Sequence, residues 1–74
     1  MKATIEYNLP DDQIEFDLAN SAAKMHSVLW DMDQWLRSNT KHAPDSTHEE
    51  AIKAYYKCRD HLRELMSDNN LNFD

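Results

Sequence analysis

Leu18-Ala-Asn-Ser-Ala-Ala-Lys-Met25-His-Ser-Val-Leu29-Trp-Asp-Met32-Asp-Gln-Trp-Leu36 is the stretch that decides the fold. Its apolar residues fall at Leu18, Ala22, Met25, Leu29, Met32 and Leu36, in steps of 4, 3, 4, 3 and 4. Val28 and Trp35 flank this stripe and widen it. A second stripe, Ala51, Tyr55, Cys58, Leu62 and Leu65, steps by 4, 3, 4 and 3. Such spacing places each set on one face of a helix. The polar connector 39–46 separates them. The pattern predicts an antiparallel helical hairpin with one shared buried seam.

Outward from that seam the signals weaken. Ala3, Ile5, Tyr7 and Leu9 alternate with Thr4, Glu6 and Asn8, the period of a half-buried strand. Pro10 ends it, and Asp11 and Asp12 suit the first turn of a helix. Residues 11–19 fit a second strand through Ile14, Phe16 and Leu18. They also extend the helical stripe, and the helix reading is preferred, with Phe16 off the stripe and packing on the strand. Asn20-Ser21 reads as a break between a short helix and a longer one. Ser46 with Glu49, or Thr47 with Glu50, forms a capping box for the last helix. Asn69-Asn70 ends that helix, and Leu71-Asn72-Phe73 has the pattern of a short strand able to pair with the first. The expected fold is mainly α: an antiparallel helical hairpin with a short preceding helix and one N-terminal β-strand, in a single small domain, 1–74. The strand is expected at about 2–8 and the helices near 11–19, 21–39 and 47–67.

A chain of 74 residues buries a small share of its surface, and one helical seam leaves apolar surface wet. Self-association as a homodimer, or a partner protein, is therefore expected. The net charge of −6 argues against direct nucleic-acid binding, which needs a basic face. The acidic residues of the first half are too sparse for a DNA mimic. With no glycine, the chain lacks the residue that phosphate-cradling and dinucleotide-binding loops require. Apolar runs reach three residues at most, so no membrane span is expected. The single cysteine, Cys58, lies on the second stripe and reads as a core side chain. With no secretory leader evident, the expected location is the cytoplasm.

Candidate chemistry is thin. Cys58 and His61, with His26, His42 or His48, are too few and too scattered for a convincing zinc site. Asp60 and Glu64 share a helical face and Asp11 and Glu15 are also four apart, but the first long helix has no matching pair. Asp31 and Asp33 point in different directions. A metal-dependent nucleotide hydrolase is thus a weak reading, and no catalytic, cofactor-binding or metal-binding residue is assigned. Arg37, Lys41 and His42 gather at the negative end of a helix dipole. Arg59 and Arg63 read as solvated or paired with carboxylates.

Trp30 lies off the seam, with His26 four residues before it and Asp33 three after it on the same side. Either the strand or the short helix covers it, or it anchors a partner, as Trp does in interfaces. Trp30, His26 and Asp33 are the candidate partner-binding residues.

Met1-Lys-Ala-Thr-Ile-Glu-Tyr-Asn-Leu-Pro-Asp-Asp12 and Leu29-Trp-Asp-Met-Asp-Gln-Trp-Leu-Arg37 resemble a group of small acidic proteins of bacteriophages and prophages. The likeness is clearest in the first half of the chain. It implies a phage accessory protein acting in the host bacterial cytoplasm, and it supplies no site residues. The leading expectation is a non-enzymatic protein that binds and inhibits a host or defence protein. The alternative is a protein that sequesters a nucleotide signal between subunits, using Arg37, Lys41 and Trp35.

Overall fold

The computed structural model describes residues 1–73. Among these residues there are two helices, α1 at Gln13–Ser38 and α2 at Glu49–Asp68. They run antiparallel: Trp35 of α1 meets Tyr55 of α2, whereas Asp33, earlier in α1, meets Arg59 and Arg63, later in α2. The expected hairpin is present.

The separate first helix is not. Residues 13–38 form one uninterrupted helix. Neither glycine nor proline interrupts it, and at the expected break the Ser21 hydroxyl donates to the Asp17 carbonyl, 2.8 Å away. The N-terminal strand is also absent, and no strand occurs among the described residues. Alternation alone does not make a strand, because its backbone needs a ladder partner. The tail 71–73 is not a strand either; it packs Phe73 on α1 instead. Tyr7 of the leading segment meets Phe16 edge to face, with ring centroids 5.7 Å apart. A turn precedes α1, in which the Asn8 amide donates to the Asp12 carboxylate at 2.8 Å.

The caps follow local chemistry. The cap of α2 is His48, whose Nδ1 accepts from the Glu50 amide at 3.1 Å. Neither expected capping box forms, and the helix starts at Glu49. At its other end the Leu71 amide donates to the Met66 carbonyl at 2.8 Å, and the Asn70 amide to Ser67 at 3.1 Å. This is a Schellman closure with Asn70 in the left-handed region at φ 57°. It turns the tail back along the hairpin.

The seam differs from the expected stripes in angle. Leu29, Asp33, Leu36 and Thr40 carry the α1 side, of which Asp33, Leu36 and Thr40 are buried and Leu29 half-buried. On α2 the covered residues are Ala51, Ile52, Tyr55, Arg59, Leu62 and Met66, a stripe rotated by about 50° from the apolar one, with which it shares Ala51, Tyr55 and Leu62. Cys58 and Leu65 are exposed, against expectation. So are Met25, Met32, Val28 and Trp35. The reason is electrostatic: this rotation points two arginines at one buried carboxylate.

The apolar core is small, with Leu36 and Met66 its two buried members among the described residues. The accessible surface is 6516 Å². A compact protein of this mass exposes about 4700 Å². The radius of gyration, 17.5 Å, likewise exceeds the roughly 11 Å of a compact chain of this length.

Candidate interaction surface

Asp33 organises the site. Its side chain is 0% exposed, and both oxygens accept from α2. Oδ1 takes Nε of Arg59 at 3.1 Å and Nε of Arg63 at 3.0 Å; Oδ2 takes Nη2 of Arg63 at 2.8 Å. Arg63 thus binds as a two-pronged fork, the geometry in which guanidinium and carboxylate fit best. The Arg63 hydrogen bond holds the Asp33 carboxyl below the usual carboxylate range, against burial, which pushes it up; Arg59 adds to the lowering.

Arg63 also shapes the surface. Its guanidinium carbon lies 4.9 Å from the centre of the Phe73 ring, a cation–π contact. Phe73 receives Trp30 edge to face at 5.5 Å and His26 at 5.8 Å. The three expected partner-binding residues therefore belong to one connected cluster, in two different positions. Trp30, 44% exposed, and His26 stand at the surface on the tail ring. Asp33 lies beneath, offers no surface, and fixes the arginine that backs Phe73. Trp30 is covered neither by a strand nor by a short helix.

Beside Trp30 a groove of about 550 Å³ opens between α1, the end of α2 and the tail, lined by Arg63, Met66, Leu71 and Phe73 among others. Phe73 and Arg63 are the site residues that the sequence reading missed. The apolar pattern of Leu71-Asn72-Phe73 was the available signal for the first. For the second it was Asp33 at seam spacing between Leu29 and Leu36, facing a pair of arginines four residues apart.

Arg37, Lys41 and His42 lie at and beyond the end of α1, away from this groove. Among the described residues no group of three or more His, Cys, Asp or Glu side chains is placed to hold a metal ion. No helix among the described residues is long and apolar enough to cross a membrane. No family model, curated protein or solved structure matches the chain.

Proposed function

We propose that the chain is a non-enzymatic bacteriophage accessory protein that binds and inhibits a host or defence protein in the bacterial cytoplasm. The phage context rests on the resemblance of segments 1–12 and 29–37. The observation that carries the binding role is the half-exposed Trp30 held edge-on against Phe73, with His26 beside it. A tryptophan fixed by its neighbours loses little conformational freedom on docking, which favours its use as an anchor. Asp33 serves by orienting Arg63 rather than by touching the partner. Inhibition is steric: the patch covers a surface that the target needs.

One observation favours a second reading, capture of a nucleotide. An arginine and two aromatic rings converge at the groove, though they are Arg63, Trp30 and Phe73 rather than Arg37, Lys41 and Trp35. The engagement of Arg63 by Asp33 and the net charge of −6 weigh against it.

The test is capture from infected and uninfected lysates with wild-type and Trp30→Ala baits, followed by mass spectrometry of proteins and small molecules. A stoichiometric protein lost with Trp30→Ala, by about 2 kcal/mol of affinity or more, supports the proposal. A partner retained by Trp30→Ala removes the patch, and a co-purified nucleotide replaces the proposal with the second reading. No stoichiometric species in either lysate overturns both.

A further inference from the structure

α1 carries a second apolar stripe that α2 leaves largely uncovered, reaching Trp35 at its end through Tyr55. Leu18, Ser21, Met25, Val28, Met32 and Trp35 follow steps of 3, 4, 3, 4 and 3, with Ile14 continuing the series toward the N-terminus. All but Ser21, which is half-buried, are exposed. The stripe lies about 80° round the helix from the α2 seam and about 170° from Trp30. It is thus a different face from the proposed partner patch, and the inference stands apart from that proposal.

We infer that this face binds a second copy of the chain, α1 against α1 antiparallel, in a two-fold dimer. Spacing, charge and area support this occupant. The series from Leu18 to Trp35 reads the same in both directions, so an antiparallel copy sets Leu18 against Trp35, Ser21 against Met32 and Met25 against Val28, each twice. That register brings Lys24 of one copy beside Asp31 of the other, again twice. Both are exposed, and neither joins an ion pair among the described residues. Seven positions apart on one helix, they are about 10 Å from each other along it and are poorly placed to pair within the chain.

Charge also selects among registers. Sliding one heptad so that Ile14 meets Met32 sets Lys24 against Lys24 and Asp17 against Asp31, which repel. Sliding two heptads restores attraction between Asp17 and Lys24 but leaves Val28, Met32 and Trp35 uncovered. The surface of one copy in excess of a compact chain, roughly 1800 Å², is more than enough to supply what each partner contributes to a stable interface, about 600–1000 Å². In this dimer the two Trp30 patches face outward.

Sedimentation equilibrium tests the inference. The wild type is expected to be dimeric at micromolar concentration, and Met25→Asp monomeric with its helical circular dichroism retained. Lys24→Glu and Asp31→Lys should each weaken association roughly tenfold, and the double charge swap should restore it to within about threefold. Trp30→Ala should leave it unchanged. A wild-type monomer, dimerisation unaffected by Met25→Asp, or failure of the double swap to rescue would each overturn the inference.

Discussion

Asp33 and Arg63 stand 30 residues apart in the sequence and 2.8 Å apart in the fold, Oδ2 to Nη2. This contact ties α1 to α2 at a point where hydrophobicity alone predicts nothing, and it sets the platform on which Phe73 and Trp30 rest. Asp33→Asn should therefore destabilise the chain by about 2–3 kcal/mol at neutral pH, since hydrogen bonds to charged groups contribute ~1.5–3 kcal/mol. The partial exposure of Arg63, 49%, keeps the loss below that of a fully buried pair. Urea denaturation of the two proteins measures it.

The same pair gives stability a pH dependence. The Asp33 carboxyl is depressed in the folded chain, chiefly by the Arg63 hydrogen bond. Its contribution is present above the unfolded value of about 3.9 and is lost as pH falls through the lower folded value. The gap between wild type and Asp33→Asn should be full at neutral pH and close below about pH 4. Melting curves across that range check it, and a constant gap counts against the ion pair.

The rotation of the seam separates two neighbouring residues. Met66 is buried, whereas Leu65, on the stripe expected from spacing, is exposed. Met66→Ala should cost about 2–4 kcal/mol. Leu65→Ala should stay within about 1 kcal/mol. The reverse order in thermal melts would place the seam on the Cys58–Leu65 stripe instead.

Trp30 and Phe73 should be coupled. Edge-to-face pairs contribute about 0.5–1.5 kcal/mol beyond area, so a double-mutant cycle with both alanines should show a coupling of that size. Because Trp30 is 44% exposed, its truncation alone should cost less than the roughly 3–5 kcal/mol of a core aromatic. A cost at the core level would make Trp30 structural and leave the partner surface without its anchor.

Cys58 is exposed on α2. It should react with a thiol reagent in the folded state at a rate little changed by denaturant, and Cys58→Ser should alter stability by less than about 0.5 kcal/mol. Reaction only on unfolding would place the thiol back in a seam.

The two long helices, their antiparallel pairing and the end of α2 at Asn69 were legible in the sequence, because 3.6-residue periodicity and weak helix formers are local properties; the break expected at Asn20-Ser21 was not there. Trp30, His26 and Asp33 were also legible as neighbours, since they share one side of one helix. Three features depended on residues distant in sequence. Which face of each helix turned inward was settled by Asp33 meeting Arg59 and Arg63, a charge-assisted contact that an apolar count ignores. Whether the alternating segment 2–8 became a strand depended on a pairing edge, and the tail had instead turned back to place Phe73 on Trp30. Exposure followed from both: Met25, Val28 and Met32 have the sequence signature of a core, yet α2 packs to one side of them and leaves their stripe at the surface. Periodicity tells which residues share a face; only the tertiary contacts decide which face is covered.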